Sequence, residues 1–140
     1  MIRVGLLGTG RIGSLHAESI ASHRESTLTA VSDINVETAN KLAAQYGAIV
    51  KSADEIISDP NIDAIVIATS TDTHSDFIEK AATADKAIFC EKPVTNSYKA
   101  INRLCKIIKS KKTVNMVNFE MLNIEAFRLH ILLLLLLLFY

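Results

Sequence analysis

The feature that most constrains this chain is Gly8-Thr9-Gly10-Arg11-Ile12-Gly13, set directly behind the short apolar run Ile2–Leu7. Three glycines at this spacing, between a strand-like run and a helix-like one, form a G-x-G-x-x-G fingerprint in its working context. The first glycine allows a tight turn. The second lets backbone approach a pyrophosphate, and the third lets a helix pack closely on the strand. The N-terminus of that helix offers free N–H groups and a partial positive charge to phosphate. Gly8, Thr9, Gly10, Arg11 and Ile12 are therefore candidate cofactor-binding positions.

Three glycines can also simply mark a turn, so the rest of the pattern has to agree. Apolar runs predict strands at Ile2–Leu7, Leu28–Ser32, Ala48–Val50, Ile62–Ala68, Ala87–Cys90 and, weakly, Val114–Val117. Helical spacing predicts helices at Ile12–Ser22, Val36–Tyr46, Asp54–Ser58, Thr73–Ala84 and Asn96–Ser110. Ile12, Leu15, His16 and Ile20 would line the first helix, and Ile101, Leu104, Cys105 and Ile108 the last. Asn35 reads as an N-cap, Gly47 as a left-handed C-cap, and Thr73 with Asp76 as a capping box. The Ile62–Ala68 run is apolar almost throughout, as in a strand covered on both faces. Strands alternating with helices imply an α/β fold of the Rossmann type, a doubly wound parallel sheet. Its ligands bind beyond the carboxyl ends of the strands, where the strand order switches.

The residues just after each strand are thus the ones to examine. Asp33 ends the second strand, twenty residues beyond Gly13. An acid there can accept hydrogen bonds from the adenosine ribose hydroxyls, and its charge disfavours a 2′-phosphate. Ile34 and Asn35 bring no arginine to compensate, so NAD is expected over NADP. Asp33 could otherwise be a loop acid or a cap. After the fourth strand, Thr69-Ser70-Thr71 and His74 are candidates for the nicotinamide ribose or the pyrophosphate. Turn and cap chemistry is the alternative for the hydroxyls, and His74 reads as a positioning residue more than as a base. After the fifth strand comes Glu91-Lys92-Pro93. Pro93 can fix a turn that aims Lys92 from the sheet edge, where it could hydrogen-bond a substrate hydroxyl. On spacing alone, Glu91 and Lys92 could equally be an exposed charge pair.

Composition narrows the function classes. The 140 residues carry 15 basic and 15 acidic side chains, which removes the electrostatic case for a nucleic-acid partner or an anionic membrane surface. Cys90 and Cys105 are too few for a disulfide framework or a zinc cluster, so no metal is expected. Both read as small buried hydrophobes in a reducing, cytoplasmic compartment. The apolar end, Ile131–Tyr140 with leucine from 132 to 138, is about half the roughly 20 residues a spanning helix needs.

With these residues in place, the chain resembles the Gfo/Idh/MocA oxidoreductases, and within them the inositol 2-dehydrogenases. The resemblance runs through Ile2–Gly13, Ser32-Asp33, Ile67–His74 and Phe89-Cys90-Glu91-Lys92-Pro93, and covers roughly residues 1–112. Glu91-Lys92-Pro93 is its most specific part. The resemblance implies that NAD is the cofactor and a cyclitol or sugar alcohol the substrate. It implies that Lys92 is the active-site lysine, Pro93 a commonly cis proline, and full-length relatives homo-oligomers. It also implies a second domain that carries the substrate pocket and the aspartate and histidine of proton transfer.

No counterpart of that domain is legible here. Asn118-Phe119-Glu120-Met121-Leu122 stands where the family has a Gly-Phe-x-Arg-Arg stretch, and Phe127-Arg128 only echoes the family's next helix. The expectation is a cofactor domain over residues 1–118 and a divergent tail over 119–140, from truncation or a frameshift. Such a chain would have little turnover alone. The alternatives are a dinucleotide-binding module without catalysis and a non-functional fragment.

Overall fold

The structure, a computed structural model, describes residues 1–111 and 115–117. The expectations for residues 119–140, including the leucine run and the Phe127-Arg128 echo, lie outside the described residues. Elements alternate from the start: β1 (Ile2–Leu7), α1 (Arg11–Ser22), β2 (Ser26–Ser32), α2 (Val36–Tyr46), β3 (Ile49–Val50), α3 (Ala53–Ser58), β4 (Ala64–Ile67), α4 (Thr71–Thr83), β5 (Ala87–Cys90), α5 (Tyr98–Lys111) and β6 (Asn115–Val117). The strands form one six-stranded sheet in the order β3-β2-β1-β4-β5-β6, with every pairing parallel. The order turns back between β1 and β4, which sets the switch point beside the glycine loop.

Side-chain alternation along the strands divides the core in two. Leu6, Val66 and Phe89 point to one face, against Ala17 and Ile20 of α1 and Ala39 and Leu42 of α2. Leu7, Ile65, Ile67 and Ile88 point to the other, against Ile56 of α3, Ile78 and Ala81 of α4 and Leu104 of α5. Both faces are covered, so β4 and β5 are buried at every position. Continuous apolar runs are the sequence mark of such strands. The fold is the doubly wound α/β sheet expected. Among the described residues no helix is long and apolar enough to cross a membrane.

Local chemistry fixes the ends of several elements. Asn35 accepts hydrogen bonds from the N–H groups of Glu37 and Thr38, and Gly47 closes α2 at φ 71°. Ser52 and Glu55 cap α3 reciprocally, a capping box beyond those expected from the sequence. At α4 the expected box is replaced. The helix starts at Thr71, with Ser70 as N-cap, and the Thr73 hydroxyl donates to the Ser70 carbonyl at 2.8 Å.

Two helices are rotated from the expected stripes. On α5, Ile101 and Cys105 are exposed, while Leu104 is buried with Ile107 and Ile108 packed beside it. Cys105 is therefore not a core residue, whereas Cys90 is. On α1, Leu15 is exposed, and Gly13, His16, Ala17 and Ile20 form the buried side.

Candidate functional site

The glycine loop is tied to three strand ends at once. Gly8 N–H donates to the Ser32 carbonyl at 2.8 Å, and Ala68 N–H donates to the Leu7 carbonyl at 2.7 Å. Gly8 has φ +94°, a region that L side chains rarely adopt, and a Cβ there would fall on the backbone of Ala68 and Thr69. A Cβ on Gly13 would strike the Gly8 carbonyl, so only glycine lets α1 approach this closely. Gly10 faces open space instead. It caps α1 without a side-chain hydrogen bond, and Ser14 is the first residue whose N–H reaches back, to the Gly10 carbonyl at 2.9 Å. The N–H groups of Arg11, Ile12 and Gly13 thus head the helix with no intrahelical acceptor. A bare helix N-terminus behind an uncrowded backbone fits a dinucleotide pyrophosphate.

Asp33 closes the adjacent side. Its Oδ2 accepts from Thr9 N–H at 2.6 Å and from the Thr9 hydroxyl at 3.0 Å, while Oδ1 accepts from Asn35 N–H at 2.8 Å. Partial burial works against ionisation, but these donors and the Ile34 N–H outweigh it and hold the carboxyl below its ordinary value. Buried Thr9 also lies 2.9 Å from the Thr38 hydroxyl on α2. Each hydroxyl has one proton. The Thr9 hydroxyl faces Asp33 and the Thr38 hydroxyl faces the Asn35 carbonyl at 2.9 Å, so the Thr9–Thr38 contact shares a proton with one of these two bonds. Thr38 joins this cluster without any signal in the sequence pattern. Ile34, next to the acid, is fully exposed.

The loop after β4 is a chain of hydroxyls. Thr73 donates to the Ser70 carbonyl, so at the 2.7 Å contact between Thr69 and Thr73 the Thr69 hydroxyl is the donor. The Ser70 hydroxyl and the residue's own N–H lower the pKa of exposed Asp72. Thr71 opens α4. His74 is buried between two backbone carbonyls: Nδ1 is 2.9 Å from Pro93 O, and Nε2 is 3.0 Å from Thr69 O. It therefore clips the β4 loop to the segment after β5. Both carbonyls only accept and a neutral ring carries one N–H, so the imidazole donates to one of them while its other nitrogen rests against the second.

Glu91, Lys92 and Pro93 come directly after β5, and the Lys92–Pro93 peptide bond is cis. Glu91 and Lys92 are not an exposed charge pair. Glu91 is buried, its Oε1 2.8 Å from Nε2 of fully buried His16, and its Oε2 accepts Lys92 N–H at 3.2 Å. Lys92 itself is exposed. Cys90, just before, is inert: burial first, then the neighbouring Glu91 charge, pushes its thiol up to about 12. In the sequence His16 is only one member of a helix stripe. A histidine on an otherwise apolar face is the one signal that could have singled it out.

Parallel pairing brings the carboxyl ends of β1, β2, β4 and β5 to one edge of the sheet, and with them the glycine loop, Asp33, the hydroxyl loop and Lys92. Comparison with known proteins agrees with this fold. The family model described as an oxidoreductase family with an NAD-binding Rossmann fold matches residues 2–119. The inositol 2-dehydrogenase of Rhizobium meliloti (strain 1021) is 42% identical over 119 residues, which are 85% of this chain and 36% of that protein. A crystal structure from Sinorhizobium meliloti 1021 matches with TM-score 0.83 at 42% identity, over 85% of this chain and 36% of the other. The Lactobacillus casei scyllo-inositol dehydrogenase, solved with NAD(H) and scyllo-inositol, matches with TM-score 0.80 at 26% identity over the same shares. The chain thus spans about a third of the length of the relatives it matches. The family model covers most of the chain and the relatives match it over that third of their length: the chain belongs to the Gfo/Idh/MocA oxidoreductase family, as its NAD-binding Rossmann fold.

Proposed function

We propose that this chain holds NAD across the carboxyl edge of its sheet, as the cofactor part of an oxidoreductase of the inositol 2-dehydrogenase type. Residues 1–118 are its cofactor domain. The observation that carries the reading is that Gly8 to Gly13, Asp33 and Lys92 lie just past the ends of β1, β2 and β5, on one edge of a parallel sheet.

In this reading Gly8, Thr9, Gly10, Arg11 and Ile12 hold the pyrophosphate against the head of α1. Asp33 takes the adenosine ribose hydroxyls. Thr69, Ser70 and Thr71 serve the nicotinamide side, with His74, Glu91 and Pro93 shaping its wall. Lys92 donates a hydrogen bond to the hydroxyl oxygen of a cyclitol or sugar and favours its alkoxide character while the carbinol C–H gives up hydride. When bound, NAD supplies the acceptor for that hydride. The hydroxyl proton needs a base, and His74 is buried with each ring nitrogen against a backbone carbonyl, away from any bound hydroxyl. The base is therefore supplied from outside the described residues, and turnover by this chain alone is low. A cytoplasmic setting goes with two free thiols, and the longer relatives are read as homo-oligomers.

The test is to incubate the purified chain with NAD and myo-inositol and monitor reduced nicotinamide by absorbance, with binding measured in parallel. Binding without appreciable turnover is expected. Turnover at the rate of a complete dehydrogenase would refute the missing base, and absent binding would refute the cofactor role.

A further inference from the structure

Lys92 is anchored through its neighbour. Glu91 N–H donates to the Ile67 carbonyl at 2.9 Å, which extends the β4–β5 pairing one step past Cys90. Its carboxylate then divides between two partners, His16 on α1 and the Lys92 N–H. His16 packs edge-on against Phe89 of β5, ring centres 5.0 Å apart, which sets the plane of the imidazole. A carboxylate is a costly group to bury, and an apolar side chain would fill the same space at lower cost. What an apolar residue could not do is grip a helix and a turn at once. A carboxylate with two oxygens and no protons can.

The helix concerned is α1, whose first turn comes straight after the glycine loop. The turn concerned carries Lys92. We propose that Glu91, held by His16, is a positioning residue that fixes the Lys92 backbone relative to α1, and so sets the spacing between the phosphate end of the site and the lysine. This rests on the reading of Lys92 as the substrate-facing lysine. His74 supports the same turn from the far side, through the Pro93 carbonyl.

The test uses the full 140-residue chain, 15N-labelled, as wild type, Glu91→Ala and Glu91→Gln. Glutamine can keep the bridge: its oxygen accepts Lys92 N–H, and its amide donates to His16 Nε2 once the ring changes tautomer. The order parameter of the Lys92 amide is expected near the rigid value of about 0.85 in wild type and Glu91→Gln, and below about 0.6 in Glu91→Ala. Amides of Leu6 and Val66 report that the sheet is intact. On adding NAD, the shift of the Lys92 amide is expected in wild type and Glu91→Gln and reduced in Glu91→Ala. A Lys92 amide as rigid in Glu91→Ala as in wild type would overturn the proposal, whether or not NAD binds. A wild type that shows no NAD-dependent shift at any amide would overturn the cofactor reading instead, and the relaxation comparison would still decide the positioning role. Should Glu91→Ala not fold, His16→Phe fills the same space against Phe89 without a bond to Glu91. It is expected to free Lys92 in the same way, and rigidity there would overturn the proposal.

Discussion

Thr9 and Asp33 are bonded twice, through the Thr9 backbone N–H at 2.6 Å and its hydroxyl at 3.0 Å. The bond locks the second residue of the glycine loop to the acid at the end of β2, residues that are 24 apart in sequence. Asp33 is therefore already oriented, at the end of a strand and beside the fully exposed Ile34. In the proposed reading, the preference for NAD over NADP rests on its charge.

Replacing that charge should shift the preference toward NADP. Asp33→Ala combined with Ile34→Arg removes the repulsion of a 2′-phosphate and adds a cation for it. Hydrogen bonds to charged groups contribute about 1.5–3 kcal/mol, so the ratio of NADP to NAD affinity should rise by about tenfold or more. Parallel calorimetric titrations with the two cofactors check this. An unchanged ratio would remove Asp33 from the site.

Asp33 should also leave a mark on acid stability. Burial opposes its ionisation, but the Thr9, Asn35 and Ile34 donors prevail and keep its folded pKa below the ordinary 3.8. A depressed carboxyl stabilises the folded state above its unfolded pKa, and that contribution fades as pH falls through the folded value. Melting temperatures of wild type and Asp33→Asn should therefore differ most near neutral pH and converge below about pH 3.8. A gap that widens in acid would contradict the assignment of the donors.

Lys86 offers a contrast far from the chemistry. It is buried just before β5, at the opposite edge of the sheet, and its ammonium donates to the carbonyls of Asp59 at 2.6 Å and Ile62 at 2.7 Å. Lys86→Met keeps the stem and leaves both carbonyls without this donor. A cost of about 1–3 kcal/mol in urea unfolding is expected, with NAD affinity unchanged. A loss of affinity at retained stability would mean that the two edges are coupled.

The sequence made some of this legible and hid the rest, for physical reasons. Helix α2 matches its expected bounds because both its caps, Asn35 and Gly47, act on backbone within a turn. The site loops were legible because parallel topology puts the residue after each strand on one edge. The expected start of α4 falls two residues late because Thr73 and Asp76 have the spacing of a capping box, while Ser70 starts the helix with no side-chain cap bond to announce it. Glu91 looks like a surface charge because its partner, His16, lies 75 residues away, and only the packing of α1 on β5 brings them together. The rotation of α5 that exposes Cys105 is likewise set by tertiary packing, with Leu104 buried in the cluster that holds Ile78 and Ala81 of α4, and not by its own periodicity.

The central claim is that this edge of the sheet takes NAD. The most direct measurement is a calorimetric titration of the chain with NAD, set beside the same titration with NADP. Saturable binding of one NAD per chain, at least about tenfold tighter than NADP, is the expected result. No saturable heat with NAD, or NADP bound as tightly, would contradict it.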